Sequence, residues 1–246
     1  MTREELIQYA SFCHSQAIMI NQDLYIVRQI QELAGKYKEE IEISPAFYTM
    51  ILDSLEKAIV IGLAKLYDNK KQQKPDRITI QISGLLEQIQ NNIEWFPKVK
   101  QIKASYSIEF SDGKISNLPE HPTIDIPLEP EKELQTLTIR KTSLDAIIKK
   151  LRNLRNKIYA HNDKKILLGK QENWIEKNSF SLDDAEMLII LAFDVSDFVI
   201  KRLAGECRER KAVNIDDFEK TLRYVQIGRK QWKQEIEKFL NKELNE

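Results

Sequence analysis

Two side chains with useful chemistry, Arg155 and His161, stand six residues apart in the second half of the chain. Arginine suits a phosphate, because its planar guanidinium donates to two oxygens at once and keeps its charge. Histidine suits proton transfer, because its unperturbed pKa of about 6.5 lies near working pH. Cleaving RNA through the 2′-hydroxyl needs a base for that proton, an acid for the leaving 5′-oxygen and positive charge at the phosphate. The pair therefore makes RNA cleavage a candidate chemistry.

The six-residue spacing constrains how these two side chains could meet. On an ideal helix Arg155 and His161 point about 120° apart, so a straight helix does not aim both at one phosphate. Three arrangements remain: the long arginine stem reaches round, the helix distorts near Ala160, or each residue serves a site shared by two chains. If acid and base are both histidines, two motifs must face each other, and a two-fold homodimer supplies that arrangement.

An apolar seam with steps of three and four residues leads up to His161. Its members are Leu144, Ile147, Leu151, Leu154 and Ile158. Because His161 takes the next position of this seam, it stands where a core or interface residue would stand. A buried, hydrogen-bonded structural histidine therefore remains an alternative to a catalytic one.

Residues 140–170 are strongly basic, although the whole chain balances 38 basic against 38 acidic side chains. The segment holds ten Lys and Arg against two Asp, a net charge of +8, so the other residues together carry −8. Such a basic strip attracts a polyanion, for example the phosphate backbone of RNA. The alternative is a solvated helix face that pairs with acids on neighbouring helices. The zero total excludes a uniformly basic coat protein and an acidic tail protein.

The composition indicates a helical protein. Only 7 Gly and 7 Pro occur among 246 residues, too few turn residues for a doubly wound α/β enzyme or a β-sandwich. Capping signals and apolar spacing predict helices that begin near Thr2, Ser44, Thr79, Glu131, Ser181 and Asn214. The third is expected to end at Phe96 and the fourth at about His161. We therefore predict an all-α, single-domain bundle of about six helices over residues 1–246.

Two segments depart from this helical pattern. Residues 97–130 contain five of the seven prolines and are predicted to form an irregular insertion. Within it, residues 106–115 have the pattern of a small β-hairpin with its turn at Asp112-Gly113. Residues 207–246 are predicted to form a charged helical extension at the C-terminal end.

The stretch from Arg155 to Asp163 resembles the Arg-x(4–6)-His motif of the HEPN superfamily, the higher eukaryotes and prokaryotes nucleotide-binding domains. Its form, Arg-Asn-Lys-x-x-Ala-His-x-Asp, is most similar to the abortive-infection AbiU-like branch. The helix end Leu66-Tyr67-Asp68 also resembles that branch, whose corresponding helix ends in an aliphatic-aromatic-Asp step. The similarity is local at the motif and loose over residues 44–205, and it implies a HEPN-like helical fold.

Many HEPN proteins are metal-independent ribonucleases that act as dimers in phage defence or toxin–antitoxin systems, and the resemblance implies that role here. It assigns Arg155 and His161 as the catalytic pair and Asn156 as the polar residue that commonly follows the arginine. The implied partners are RNA, a second copy of the chain and an antitoxin or defence-system protein; no cofactor is implied. The alternatives are a non-catalytic HEPN-like module that binds RNA or a protein, and a structural or regulatory bundle.

One position departs from a pattern found in some HEPN toxins. Those toxins carry a tyrosine two residues after the histidine, which a partner nucleotidyltransferase modifies. Asp163 stands at that position here, which puts this form of control in doubt. Asp163 is instead expected either to orient His161 or to end the helix.

Further side chains around the motif are candidates for substrate binding. Lys157 and Arg152 are expected to attract the RNA backbone. Tyr159 shares the helix face of Arg155 and could contact a phosphate or a base, although packing is the favoured role. Asp68 either pairs with Arg155 or Arg152 and holds the guanidinium, or is an ordinary helix end.

Other kinds of site are not supported by the sequence. His121 has no cysteine or second histidine at ligand spacing, so no metal site is expected. Cys13 and His14 are adjacent and point about 100° apart on a helix, a poor nucleophile–base pair. Because the two cysteines form no close pair, we expect reduced thiols in a cytoplasmic protein. The longest mainly apolar runs, 58–64 and 187–193, are too short to cross a membrane.

Overall fold

A computed structural model describes residues 1–68, 81–104, 107–110, 113, 115–117, 129–156, 177–211 and 217–243. These residues form eight α-helices: α1 (Arg3–Leu33), α2 (Lys38–Ile41), α3 (Pro45–Leu66), α4 (Ile82–Asn91), α5 (Pro130–Ser143), α6 (Asp145–Leu154), α7 (Leu182–Val199) and α8 (Asp217–Glu243). Three short strands lie between α4 and α5: β1 (Val99–Ala104), β2 (Ser107–Phe110) and β3 (Ile115–Asn117). The predicted all-α bundle with an irregular, partly β insert is confirmed.

Helices α1 and α7 each begin with a capping box, at the positions that the sequence predicts. At α1 the Thr2 hydroxyl accepts from the Glu5 backbone N–H, and the Glu5 carboxylate accepts from the Thr2 N–H. At α7 Ser181 and Asp184 make the same exchange. Each box satisfies two backbone donors that a helix start otherwise leaves unpaired. The local sequence therefore determines where these two helices begin.

The core forms where α1 packs along α3 and α7. Helix α1 buries one face, whose members include Leu6, Ala10, Cys13, Ala17, Leu24 and Val27. Helix α7 is buried over most of its length, because α1, α3, α4 and α5 all contact it. Gly62 of α3 faces Ile20 of α1 so closely that a Cβ there would lie 2.8 Å from Ile20 Cγ1. The absence of a side chain at Gly62 therefore permits the close approach of α1 and α3.

The helix expected from Glu131 to about His161 is interrupted. Helix α5 ends at Ser143, and α6 begins at Asp145 after Leu144 leaves the helical conformation with φ −92° and ψ 2°. The Ser143 hydroxyl donates to the Arg140 carbonyl over 2.7 Å, and such a bond competes with regular backbone pairing. The acid at Asp145 then favours a new helix start.

Two other helix predictions differ in their limits. The helix expected over Thr79–Phe96 ends at Asn91, and a turn of 3₁₀ helix covers Ile93–Trp95. The described helix begins at Ile82, after Gln81 in an extended conformation. The predicted starts at Thr79 and Asn214 lie outside the described residues. Helix α2 has only four residues, too few to produce a periodic signal in the sequence.

The predicted insertion contains a three-stranded antiparallel sheet in the order β1-β2-β3. The hairpin expected from the sequence corresponds to β2 and β3. Gly113 lies between them with φ +81°, a conformation that glycine adopts without strain; Asp112 is outside the described residues. Strand β1 was not predicted, because its sequence lacks a clear alternation of apolar and polar residues.

A buried arginine ties the base of this insertion to the bundle. Arg202 lies in a short π-helical continuation of α7, Ile200–Ala204. Its Nε and Nη2 donate to Glu133 Oε2 over 3.0 Å and 2.6 Å, and its Nη1 donates to the Pro97 carbonyl over 2.7 Å. Because Pro97 precedes the sheet and Glu133 lies in α5, the two ends of the inserted segment meet at one arginine.

Helix α8 contacts the rest of the protein through its first half. Leu222 is buried, and Arg229 forms ion pairs with Glu39 and Glu40 of α2. Every described side chain from 230 to 241 is exposed. Across the described parts of the chain, no helix combines the length and the apolar character needed to span a bilayer.

Candidate active site

The C-terminal end of α3 is fixed to the interior of the bundle by Tyr67. This side chain is 1% exposed, and its hydroxyl donates to the Leu188 carbonyl of α7 over 2.5 Å. Burial raises the pKa of Tyr67 well above its usual value, so the phenol stays protonated and remains a donor. The backbone N–H of Tyr67 donates to the Leu63 carbonyl and closes the last turn of α3. These bonds therefore fix the position of the backbone at the next residue, Asp68.

Arg152 of α6 joins the same helix end. Its Nε donates to the Tyr67 carbonyl over 2.9 Å, and its Nη2 donates to the same oxygen. A cation at a helix C-terminus is favourable, because the last carbonyls of a helix carry partial negative charge. Arg152 thus braces α6 against α3, a role that the sequence did not predict, while its predicted contact with RNA stays a prediction.

Arg155 follows one turn later and pairs with Asp68. Nη1 lies 3.0 Å from Asp68 Oδ2, and Nη2 lies 3.4 Å from Asp68 Oδ1. Nε donates to Asn156 Oδ1 over 2.9 Å. The side chains of Arg155 and Asp68 are 25% and 35% exposed, so the pair lies at the surface without being fully solvated. Of the two roles expected for Asp68, the structure therefore shows the one in which it holds the guanidinium.

The helix changes its winding at this point. Arg155 and Asn156 are π-helical, whereas α6 before them is a regular α-helix. A π-turn contains an extra residue, and such turns inside α-helices are frequent at functional sites. The sequence left open a distortion near Ala160; the structure shows one already at Arg155. The angle of 120° was calculated for an ideal α-helix, a conformation that Arg155 and Asn156 do not have.

Four of the predicted site residues, Lys157, Tyr159, His161 and Asp163, lie outside the described residues. Their roles stay predictions. The seam that leads to His161 is partly tested by its first four members.

Those seam members do face the core. Leu144 and Leu151 are buried, and Ile147 and Leu154 are partly buried against the same cluster. Ile148 is also buried, although the three- and four-residue steps of the predicted seam passed over it. Helix α6 thus buries a wider face against the core than the predicted seam alone.

A comparison with known protein families identifies the family of this chain. The model of the HEPN family described as AbiU2 matches residues 3–217, which is most of the chain. This chain belongs to the AbiU2 family of HEPN proteins. No curated protein and no solved structure matches it. The predicted HEPN resemblance is therefore confirmed for the family, and the AbiU2 match also covers the sheet insertion and the first residue of α8.

The basic strip of this AbiU2-family chain is partly paired. Arg140 forms an ion pair with Asp194 of α7, Lys141 pairs with Asp145 over 2.9 Å, and Arg155 pairs with Asp68. For these residues the alternative prediction of contacts with nearby acids is the one that the structure shows. The positive charge available to a polyanion is therefore smaller along 140–155 than the count of basic residues suggests.

A second polar cluster lies inside the bundle around Asp197 of α7. Asp197 Oδ2 lies 2.6 Å from Arg210 Nη2 and 3.6 Å from Lys201 Nζ, and Asp197 Oδ1 lies 3.4 Å from His14 Nε2. Burial alone would raise the pKa of Asp197, but contacts with His14, Lys201 and Arg210 outweigh it and hold the pKa below its ordinary value. Asp197 is thus an ionised, paired structural residue. Among the described residues, no group of His, Cys, Asp and Glu is arranged to hold a metal ion.

Cys13 is excluded as a nucleophile in this interior region. The side chain is fully buried, and burial raises the pKa of the Cys13 thiol to about 12. The thiolate, which is the reactive form, is therefore scarce at neutral pH. The expectation that Cys13 and His14 form a poor catalytic pair agrees with this environment.

Proposed function

We propose that this AbiU2-family protein is a metal-independent endoribonuclease that cleaves RNA through the 2′-hydroxyl, in phage defence or a toxin–antitoxin system. Arg155 binds and neutralises the scissile phosphate, and His161 transfers the protons. Asn156 is the polar residue that follows Arg155 at this phosphate site. The observation that carries the proposal is the placement of Arg155. This residue occupies the arginine position of the HEPN motif, and Asp68 holds its guanidinium at the protein surface. A charge fixed before the substrate arrives costs no reorganisation during the reaction.

The proposed active unit is a homodimer. Each motif supplies one histidine, whereas the reaction uses both a base and an acid. A two-fold pair of chains brings two His161 side chains and two Arg155 side chains to one cleft. Sedimentation during an activity measurement tests this part of the proposal, because a fully active monomer would contradict it.

The activity is tested with purified full-length protein, a structured RNA and an excess of chelator. We expect cleavage products that end in 2′,3′-cyclic phosphate. Arg155→Ala and His161→Ala should each lower the rate about 100- to 1,000-fold, the range typical for removing a charge-stabilising or proton-transferring group. Lys57→Ala removes an exposed cation from α3 outside the basic strip, and it serves as the matched control. Equal rates for wild type and His161→Ala would remove that histidine from the mechanism.

One observation favours a second function, a non-catalytic module that binds RNA or a protein. The carboxylate of Asp68 offsets the charge of Arg155, so the motif arginine already has an anionic partner in the chain. Binding of RNA that weakens with salt, without any cleavage, would select this second function. Toxicity in cells that is identical for wild type and Arg155→Ala would also favour it.

A further inference from the structure

The guanidinium of Arg155 has two edges that can grip an oxyanion with a pair of hydrogen bonds. One edge is formed by Nη1 and Nη2, and both of these atoms face the Asp68 carboxylate, at 3.0 Å and 3.4 Å. The other edge is formed by Nε and Nη2, and its Nε donates to Asn156 Oδ1 over 2.9 Å. Each edge is therefore already in contact with an oxygen of the chain. A phosphate that takes two hydrogen bonds from Arg155 must replace one of these oxygens.

The two contacts differ in how firmly they are held. Asp68 offers two oxygens of an ionised group, and charge-assisted hydrogen bonds are roughly twice as strong as neutral ones. Its backbone follows directly on Tyr67, whose hydroxyl is bonded to Leu188 and whose carbonyl is bonded to Arg152. Asn156 offers one neutral oxygen on an exposed side chain. Replacing Asn156 thus breaks less than replacing Asp68.

We infer that Asp68 is the positioning residue of Arg155, and that the substrate phosphate takes the place of Asn156 at the Nε and Nη2 edge. This inference rests on the proposed function, because it names how the RNA phosphate binds at that site. Asp68 stays bonded to the Nη1 and Nη2 edge throughout and fixes the plane of the guanidinium. The Asn156 oxygen occupies the phosphate position until the substrate arrives.

This arrangement predicts which kinetic constant depends on Asp68. Its carboxylate does not contact the RNA, so its loss changes the orientation of Arg155 more than the affinity for substrate. Misplacing a group by about 1 Å can slow an enzymatic reaction about 100-fold. Asp68→Asn should therefore lower kcat about 10- to 100-fold with KM changed less than about threefold. Asp68→Glu keeps the charge and should recover at least part of kcat.

The kinetic experiment compares wild type, Asp68→Asn and Asp68→Glu, with Asp53→Asn as the matched control. Asp53 is an exposed acid on the same helix, α3. Circular dichroism confirms that each variant is folded before its rate is measured. If wild type cleaves RNA and Asp68→Asn is equally fast or faster, the inference is overturned while the proposed function stands. If wild type cleaves no RNA, the proposed function fails, and the binding measurement below decides the inference alone.

The binding measurement follows the Nε–H resonance of Arg155 by NMR with ¹⁵N-labelled arginine. The probe is an RNA whose 2′-hydroxyls are replaced by hydrogen, which binds but does not react. We expect the probe to shift the Nε–H signal of Arg155 in the wild type, because a phosphate oxygen replaces the amide oxygen of Asn156. A bound probe that leaves the Nε–H signal unchanged, with a change at the Nη groups alone, would show that the phosphate takes the Asp68 edge and would refute the inference.

Discussion

The ion pair between Arg202 and Glu133 offers a test of how the insertion is anchored. The Arg202 side chain is 1% exposed and the Glu133 side chain is 22% exposed. Burial raises the pKa of Glu133 above its ordinary value, and the attraction to Arg202 offsets this only in part. The pair is therefore costly to bury, yet each charge depends on the other. Removing one partner of a buried pair typically costs about 3–5 kcal/mol, because the remaining charge is left uncompensated.

We therefore expect Glu133→Ala to lower the free energy of unfolding by about 3–5 kcal/mol. The Pro97 carbonyl still accepts from Arg202 in this variant, which places the expected loss toward the lower end of that range. Replacing both residues together, Glu133→Leu with Arg202→Met, should cost much less than Glu133→Ala, because neither charge of the pair remains buried. Urea unfolding followed by circular dichroism measures both values. A loss below about 1 kcal/mol for Glu133→Ala, or a double variant less stable than the single one, would refute this reasoning.

Two further predictions concern the bundle interior. The pKa of Asp197 is held low in the folded state by its three basic neighbours despite burial, so its contribution to stability is present well above its ordinary pKa of 3.8 and is lost as the pH falls below it. Melting temperatures between pH 6 and 3 should therefore fall more steeply for wild type than for Asp197→Asn; parallel curves would contradict this. Gly62→Ala places a Cβ 2.8 Å from Ile20 Cγ1 and should cost about 1–3 kcal/mol in urea unfolding, whereas an unchanged midpoint would show that α1 moves away freely.

The parts of the fold that were predictable from the sequence are those with local causes. The helix starts at Thr2 and Ser181 depend on side chains that lie three residues from their partners, so the sequence alone predicts where these helices begin. The interruption at Leu144 was not predicted, because the apolar spacing continues through it while the Ser143 hydroxyl turns back to the Arg140 carbonyl. The π-turn at Arg155 was not predicted either, because the residue types of the motif contain no signal for it.

The candidate site divides in the same way. Arg155 and Asn156 are recognisable from the motif, but the partner of the guanidinium lies 87 residues earlier. The sequence allowed Asp68 to pair with Arg152, with Arg155 or with neither. The structure shows the pairing with Arg155, because Arg152 is bonded to the Tyr67 carbonyl. This choice depends on how α3 and α6 pack, which no local pattern encodes.

The packing of α1 against the end of α7 also has a consequence for synthesis of the chain. Arg3, at the start of α1, donates to the carbonyl of Leu203, which lies 200 residues later. At about 5–20 residues per second, a ribosome needs about 10–40 s to make the intervening chain. During that interval the apolar face of α1 has α3 as its early partner, since α3 follows within the first third of the chain. The surface of α1 that α3 covers can therefore be buried early, whereas the surface that α7 covers stays exposed until α7 is made.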